Sequence, residues 1–237
     1  MVITFANQKG GVGKTTLCML FANYLVKRGI NVLVVDIDLQ KSIVSQRKSD
    51  RAAFNDQEEE YNVEGVDIDT QEEANVLMEK CKALDGVVLI DAPGTVADNT
   101  LLPVFVNSDY VICPYQYERK CLESTGVFVQ LIEALKKKVS QMKLEVFFVP
   151  NHIDAKVGTK EEKELWQSTD DVFRRFGYVT ERIPYKASIM RSNTFVLDKR
   201  QEADVMPCFD QIINVTHIIY CLLYTSDAAD DLIGVDL

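Results

Sequence analysis

The sequence predicts an α/β fold built on a mostly parallel, twisted β-sheet with helices on both faces. Short apolar segments alternate with helical patterns along most of the chain, which is typical of strand–helix–strand units. The apolar segments are nearly continuous, as expected for strands that are buried on both faces. The chain has 237 residues, of which 47% are hydrophobic and 26% charged, so it is long enough to bury a large core.

This alternation predicts six strands and six helices. Gly29 lies where a helix-terminating glycine belongs, and Thr70 with Glu73 forms the pattern of a capping box at the start of a helix. The predicted strands are residues 2–6, 32–36, 87–91, 110–113, 144–150 and, as a weaker candidate, 178–183. The predicted helices are residues 15–27, 41–53, 71–84, 122–138, 160–176 and 201–219.

Composition excludes several classes of protein. No apolar run reaches the roughly 18 residues of a membrane span, and the N-terminus lacks the regions of a signal peptide, so we expect a cytoplasmic chain without an integral membrane segment. The six cysteines form no C-x-x-C pair and there are two histidines, which argues against a disulfide framework or a zinc site. The net charge of −10 argues against a uniformly basic nucleic-acid binder, although it is compatible with a local basic patch.

The C-terminal segment is expected to have a different origin from the rest of the chain. Residues 221–231 resemble, as a block, the in-frame translation of a transposase-end adapter used in sequencing libraries. We therefore expect residues 1–220 to form a single domain and residues 221–237 to be a non-native tail, the alternative being a genuine acidic tail. The tail contains four acidic residues and no Lys or Arg, so without it the net charge falls in magnitude from −10 to −6.

The strongest chemical signal is the sequence K-G-G-V-G-K-T-T between the first strand and the first helix. Glycines let successive backbone N–H groups converge on an anion, and the start of the helix adds partial positive charge. A lysine at the end of such a loop reaches the β- and γ-phosphates, and the hydroxyl that follows it binds Mg²⁺. The strict phosphate-loop pattern fails at its first glycine, where Gln8 stands. The predicted nucleotide-binding residues are Lys9, Gly10, Gly11, Val12, Gly13, Lys14, Thr15 and Thr16.

Here the sequence resembles the ParA/MinD family of deviant Walker ATPases, a branch of the P-loop NTPase fold that carries an additional lysine at the position of Lys9. Residues 36–42, D-I-D-L-Q-K-S, resemble the family's switch I, with Leu39 in place of the usual proline. Residues 87–94 resemble its Walker B strand and the start of switch II, and residues 112–116 resemble its I-x-P-x-Q loop. The resemblance covers residues 1 to about 200 in the correct order.

The resemblance implies ATP and Mg²⁺ as cofactors and gives roles to particular residues. Lys14 binds the phosphates, Thr15 and Asp91 hold the metal, and Asp38 orients the attacking water. Asn151 lies near the place where family members have a base-contacting asparagine. Asp36 has two open interpretations, a cap of the strand-to-helix turn or a direct role in the metal site. The expected catalytic residues are Lys9, Lys14 and Asp38.

The family resemblance also implies a reaction cycle and partners. Lys9 is expected to cross a dimer interface and to contact phosphates bound to the other subunit, so that ATP holds a sandwich dimer together and the ADP-bound or empty protein is a monomer. A short chain with these motifs most resembles partition ATPases of plasmids and conjugative elements, which bind DNA non-specifically and are stimulated by a ParB-like adaptor. The basic residues that could contact DNA, if they are not merely scattered surface charges, are Arg174, Arg175, Lys186, Arg191, Lys199 and Arg200.

Three other functions remain open at this point. A MinD-like positioning ATPase that cycles on membranes needs a basic amphipathic C-terminal helix, whereas residues 208–220 contain no Lys or Arg. A reductase similar to the nitrogenase iron protein needs cluster-binding cysteines, and Cys113 and Cys121 do not match the expected pattern. An ATP-dependent enzyme acting on a small molecule would have the same fold and loop.

Overall fold

The computed structural model describes residues 1–94, 99–154 and 157–218. Within these ranges the chain alternates strands and helices, as the sequence predicts. The strands are β1 (Val2–Phe5), β2 (Val32–Asp36), β3 (Asn62–Gly65), β4 (Val87–Asp91), β5 (Tyr110–Tyr115), β6 (Glu145–Pro150) and β7 (Tyr178–Val179). The helices are α1 (Lys14–Val26), α2 (Ser42–Ala53), α3 (Gln71–Ala83), α4 (Leu102–Asn107), α5 (Arg119–Lys138), α6 (Lys160–Phe173), α7 (Ala187–Met190) and α8 (Lys199–Thr216), with a short 3-10 turn at Asn99–Leu101.

The described strands form one sheet in the order β3-β2-β4-β1-β5-β6-β7. Every neighbouring pair is parallel, which confirms the predicted parallel α/β fold. The first strand is central, because β1 pairs with β4 on one side and with β5 on the other. All strands therefore end at the same edge of the sheet, where an open α/β fold places its ligand site.

Helices cover both faces of the sheet, and each face has its own apolar core. On one face α3, α4 and α5 pack against the sheet, and on the other α1 and α8 do so. The alternation along β1 feeds both layers, since Val2 faces the first core and Ile3 the second. Helix side chains typical of the first core are Leu77, Phe105, Phe128 and Ile132, and those of the second are Leu17, Phe21, Phe209 and Ile212.

Three elements were not predicted, and one predicted strand is shorter than expected. β3, α4 and α7 were not predicted; β3 is a polar edge strand held by pairing with β2. The segment 178–183 contains only two residues of regular strand, because the Thr180 N–H donates to the Phe148 carbonyl and the next bond runs from Ile183 to Pro150. Between these two hydrogen bonds the chain advances by three residues in this segment and by two residues in β6. The extra residue is a bulge, and it ends the regular strand pairing.

The ends of several helices also differ from the predicted ends. α5 begins three residues earlier than predicted, at Arg119, and α6 ends at Phe173 rather than at residue 176. A tight turn ends α6, since the N–H groups of Phe176 and Gly177 both donate to the Phe173 carbonyl. α8 ends at Thr216, and the predicted tail, residues 221–237, lies outside the described residues.

Two sequence-based exclusions can be compared with the structure. The five cysteines in the described ranges are free and buried. No helix among the described residues is both long and apolar enough to cross a bilayer.

Candidate nucleotide site

The loop between β1 and α1 has the backbone that the glycine-rich motif predicts. Gly11 and Gly13 have φ angles of 76° and 97°, in the left-handed region where glycine is favoured. A Cβ built on Gly10 or Gly11 would meet no atom within 4 Å, so the loop is open there. α1 begins at Lys14 without a side-chain cap, which leaves backbone N–H groups at its start for an anion.

Lys14 is the cation of this loop. Its side chain is buried, and its Nζ lies 3.4 Å from the Lys9 carbonyl oxygen. Gly94 lies opposite, so that a Cβ built there would be 3.5 Å from the same Nζ. Burial lowers the pKa of Lys14, and the negative charges of Asp91 and Asp38 oppose this shift. No carboxylate of the described residues comes within ion-pair distance of Lys14, so an anionic ligand would supply the missing counter-charge.

Thr15 and Asp91 meet beside the loop. The Thr15 hydroxyl donates to Asp91 Oδ2 at 2.7 Å. Asp91 is fully buried at the end of β4, and its Oδ1 has no hydrogen-bond partner among the described residues. Burial raises the pKa of Asp91 to about 7; the Thr15 hydrogen bond and Lys14 oppose the shift, while Asp36 and Asp38 add to it.

This pair of oxygen donors fits Mg²⁺. The metal prefers a few carboxylate or hydroxyl oxygens and takes its remaining ligands from water and substrate phosphates. The orphaned Oδ1 of Asp91 gives such a site a free buried acceptor. No group of three or more His, Cys, Asp or Glu side chains within the described ranges could hold a metal, so a site made entirely from such protein ligands is absent from this part of the chain.

Asp36 and Asp38 have different surroundings. Asp36 is fully buried, and its Oδ2 accepts hydrogen bonds from the N–H groups of Ile43 at 2.9 Å and Val44 at 3.4 Å. Its Oδ1 accepts from the Asp38 N–H at 3.2 Å. Burial raises the pKa of Asp36, and these backbone hydrogen bonds oppose the shift. Asp36 therefore caps the start of α2, which is one of the two interpretations that the sequence leaves open.

Asp38 belongs to the partly exposed loop that precedes α2. Its Oδ1 accepts one hydrogen bond, from the Gln40 N–H at 2.9 Å. Leu39, which replaces the proline of the resembled motif, is 82% exposed. The loop thus presents a carboxylate and an apolar side chain at the same edge of the sheet as the phosphate loop.

Lys9 has its backbone in the loop and a partly exposed side chain. Its N–H donates to Asn7 Oδ1 at 3.1 Å, and its carbonyl accepts from Lys14. Its ammonium makes no hydrogen bond or ion pair with any residue that the structure describes, and the side chain is only half-buried. Of the two lysines that bracket the loop, Lys14 is turned inward, whereas the Lys9 ammonium has no hydrogen-bond or ion-pair partner in the described part of the chain.

Asn151 lies behind the loop. Its Nδ2 donates to the Val12 carbonyl at 2.8 Å, and the residue is fully buried. Asn7 and His152 were not predicted as site residues. Gln116 was predicted as part of the I-x-P-x-Q motif, without a role. Gln116 Nε2 lies 3.3 Å from the Gly11 carbonyl oxygen and 2.8 Å from His152 Nδ1. The position of these side chains directly after strands was the available signal.

A family comparison agrees with this geometry. The family model of the CobQ/CobB/MinD/ParA nucleotide binding domain matches residues 3–195, which is most of the chain. The chain belongs to this family. The family is defined by nucleotide binding, and the matched range includes the loop, the switch I segment and the end of β6.

The individual proteins that resemble the chain include partition and positioning proteins. The chromosome-partitioning ATPase Soj from Thermus thermophilus is 54% identical over 43 residues, which are 18% of this chain and 17% of that protein, so this likeness is local. A plasmid partition protein from Borrelia burgdorferi B31 bound to AMPPNP has a TM-score of 0.68 at 19% identity, covering 90% of this chain and 98% of that one. The septum site-determining protein MinD from Pyrococcus horikoshii, complexed with Mg-ADP, has a TM-score of 0.66 at 17% identity, covering 92% and 97%. The two structural likenesses show a common fold.

Of the basic residues considered for DNA contact in this MinD/ParA-type domain, Lys186 and Arg200 line one surface pocket together with Asp204. Arg174 follows α6 and precedes β7, whereas Lys186 follows β7, so they lie towards opposite ends of this strand. Acidic neighbours also pair with both of them: Arg174 with Asp171, and Lys186 with Asp204. The role of these residues in DNA contact stays a prediction.

Tyr115 and Tyr117 flank Gln116 in the sequence, and their hydroxyls share one hydrogen-bond partner. The hydroxyls of Tyr115 and Tyr117 both donate to Asp170, a buried carboxylate on α6. Arg182 completes the cluster with an ion pair to Asp170 at 3.1 Å. Burial raises the pKa of both tyrosines, and their hydrogen bonds to Asp170 add to the shift. The cluster fixes the end of β5, and with it the backbone of Gln116.

Proposed function

We propose that this protein is an ATPase that cycles between an ADP-bound or empty monomer and an ATP-bound sandwich dimer, and that drives DNA partitioning with a ParB-like adaptor. One observation carries the proposal. Two lysines bracket the phosphate loop, but only Lys14 is turned into it, while the ammonium of Lys9 is left without a partner among the described residues. A single nucleotide site needs one such lysine, so the second is explained by a phosphate on another subunit.

Within one subunit, each residue has a task that its surroundings support. Lys14 and the N–H groups of residues 10–16 bind the phosphates of ATP. Thr15 and Asp91 hold Mg²⁺, which when bound neutralises phosphate charge and orients the γ-phosphate. Asp38 orients the attacking water from the partly exposed switch I loop, and the AMPPNP and Mg-ADP complexes of two structural neighbours support nucleotide and metal as ligands.

Lys9 completes the site of the second subunit. Its ammonium contacts the phosphates across the dimer and contributes charge that a monomer lacks, so intrinsic hydrolysis by the monomer is slow. ATP thereby becomes part of the dimer interface, and hydrolysis releases it. Leu39 lies at the same edge and adds exposed apolar surface for that contact.

Partition of DNA is the function we assign to this cycle. The local likeness to Soj and the common fold with a plasmid partition protein support it. A MinD-like positioning ATPase on membranes is the alternative, and the TM-score for MinD is nearly the same as for the partition protein. The two functions differ in the surface to which the ATP dimer binds.

Retention on DNA-cellulose separates these functions. Partition predicts retention in ATP and elution in ADP, with no ATP-dependent flotation on anionic vesicles; the membrane function predicts the reverse. ATP turnover with neither DNA nor vesicle binding would instead favour a small-molecule enzyme of this fold.

Lys14→Ala should abolish nucleotide binding, whereas Asp38→Ala should keep ATP and trap the dimer.

A mixed-dimer experiment tests the role of Lys9. Lys9→Ala should bind ATP as a monomer and fail to hydrolyse it. In a mixture with Asp38→Ala, the site on the Lys9→Ala subunit keeps its own Asp38 and receives an intact Lys9 from its neighbour, so hydrolysis should partly recover. An ATP-dependent dimer of Lys9→Ala in light scattering, without recovery in the mixture, would refute action across the dimer.

We further propose that residues 1–220 form a single ATPase domain and that residues 221–237 are a non-native tail. Deletion of residues 221–237 should leave the melting temperature and ATP turnover unchanged or improved. A large fall in melting temperature would show that the tail packs against the domain.

A further inference from the structure

Two side-chain amides hold carbonyl groups of the phosphate loop. Asn151 follows β6, and its Nδ2 donates to the Val12 carbonyl at 2.8 Å. Gln116 follows β5, and its Nε2 donates to the Gly11 carbonyl at 3.3 Å. The two carbonyls belong to consecutive peptide groups, so the same stretch of loop is fixed twice.

Fixing a carbonyl also fixes the N–H on the other side of its peptide. A trans peptide group is planar, and its C=O and N–H point in opposite directions. The Val12 carbonyl shares its peptide with the Gly13 N–H, and the Gly11 carbonyl shares its peptide with the Val12 N–H. Holding both carbonyls against the ends of β5 and β6 therefore turns these two N–H groups away from the protein interior, which is the orientation an anion requires.

Close packing supports this arrangement at Gly13. A Cβ built on Gly13 would lie 2.3 Å from Asn151 Nδ2, so the amide lies directly against the glycine backbone. Asn151 is fully buried, and its Oδ1 has no partner among the described residues. On the open side of the loop, Gly10 and Gly11 have no neighbouring atom within 4 Å of a built Cβ. Asn151 therefore fills the space on the inner side of the loop, and the side at Gly10 and Gly11 is open.

The two amides are themselves held in place. The Asn151 N–H donates to the Tyr115 carbonyl at 2.8 Å, which ties the end of β6 to the end of β5. Gln116 Nε2 also lies 2.8 Å from His152 Nδ1. Burial lowers the pKa of His152, and a neutral ring can accept the hydrogen bond of the amide at Nδ1.

We propose that Asn151 and Gln116 are positioning residues of the phosphate loop, which orient the N–H groups of Val12 and Gly13 for binding of a polyphosphate. The inference rests on the proposed nucleotide site. It gives Asn151 a task toward the phosphate loop that the family resemblance does not imply, because one of its amide N–H groups donates to the Val12 carbonyl. If Asn151 acts through the loop alone, loss of its side chain weakens binding of the phosphate chain and leaves base recognition unchanged.

Calorimetric titration with two probes, ATP·Mg²⁺ and tripolyphosphate·Mg²⁺, tests this assignment. Asn151→Ala should weaken both probes by the same factor, about 10- to 100-fold, as expected for a lost buried hydrogen bond and a loosened loop. Gln116→Ala should weaken both by a smaller common factor, because its bond is longer. Asn23→Ala is the matched control, since Asn23 is also buried and donates to a carbonyl, that of Asn193, away from the loop. It should lower the melting temperature without changing either affinity.

The outcomes separate this inference from the proposed function. Weakening of ATP alone would show base contact and overturn the inference, leaving the nucleotide site intact. Unchanged affinity for both probes would also overturn it. A wild-type protein that binds neither probe would refute the nucleotide site itself.

Two further measurements keep the test decisive. If Asn151→Ala does not fold, Gln116→Ala, whose side chain is partly exposed, is the deciding variant. If the wild type binds tripolyphosphate too weakly to titrate, the ratio of ATP to GTP affinity is used instead. An unchanged ratio in the variants supports positioning of the loop, and a changed ratio overturns it.

Discussion

Replacement of Asp36 by alanine tests whether this carboxylate stabilises the switch I segment. The substitution removes the acceptor of the N–H groups of Asp38, Ile43 and Val44. Ile43 is fully buried, so its N–H stays unpaired at a cost of about 1 to 3 kcal/mol, while the other two can regain water. Removal of the buried charge, whose desolvation raises the pKa of Asp36, offsets part of this cost. We expect a net loss of about 2 kcal/mol, which lowers the melting temperature by roughly 4 to 8 °C in a domain of this size.

Asp38→Ala provides the comparison, because Asp38 accepts a single hydrogen bond, from Gln40, in a partly exposed loop. It should change stability by less than about 0.5 kcal/mol and yet abolish ATP turnover. Scanning calorimetry without nucleotide, and a phosphate-release assay at saturating ATP, measure the two effects. Equal melting temperatures of Asp36→Ala and wild type would refute the capping role, as would an equally large loss of stability in Asp38→Ala.

Three more predictions concern the loop, the contact between α2 and the segment before α8, and the thiols. Gly13→Ala should abolish measurable ATP binding in a calorimetric titration, because its φ of 97° and the contact with Asn151 both oppose a Cβ; retained affinity would contradict the loop geometry. Thr194→Val removes a buried hydroxyl that donates to Asp50 at 2.8 Å, and should cost about 1 to 2 kcal/mol in urea unfolding at an unchanged m-value; an unchanged midpoint would show that the bond contributes nothing. Of the six cysteines, the five described ones are buried, and burial raises the pKa of Cys81 to about 11, so the native protein should expose at most one thiol to a disulfide reagent at pH 8; rapid reaction of several would show an opened core.

Local signals in the sequence predicted most elements well. The capping box at Thr70 and Glu73 is present, with the Glu73 N–H donating to the Thr70 hydroxyl and the Thr70 N–H donating to Glu73 Oε2. The strands 32–36 and 87–91 are confirmed to the residue, because each is a run of apolar residues ending in an aspartate. β3 could not be predicted, since its sequence N-V-E-G has one apolar side chain and its pairing with β2 is a tertiary interaction.

The candidate site was predictable where chemistry lies in one contiguous motif. The loop and its glycines follow from the spacing of residues 9–16, and the left-handed φ of Gly11 and Gly13 agrees with it. The contacts that hold the loop from behind depend on the register of β5 against β6, and no local pattern encodes that register. For this reason the contact of the Asn151 amide with Val12 and Gly13 was not predicted, and its predicted contact with the base stays a prediction. The roles of Lys9 and Asp38 stay predictions.

The central place of β1 in the sheet affects how the chain folds. The N-terminal amine bonds to the Gly86 carbonyl, 85 residues away, and the Val2 N–H bonds to Asp109, 107 residues away. Closing loops of this length is entropically costly before the contacts form, so folding is expected to be slow compared with that of a helical bundle. On the ribosome, β1 emerges long before β4 and β5, so one of its edges is unpaired until β4 has been synthesised and the other until β5 has been synthesised. The segment that carries the phosphate loop is therefore made well before the strands that pair with it, and it waits for them before it is protected from aggregation.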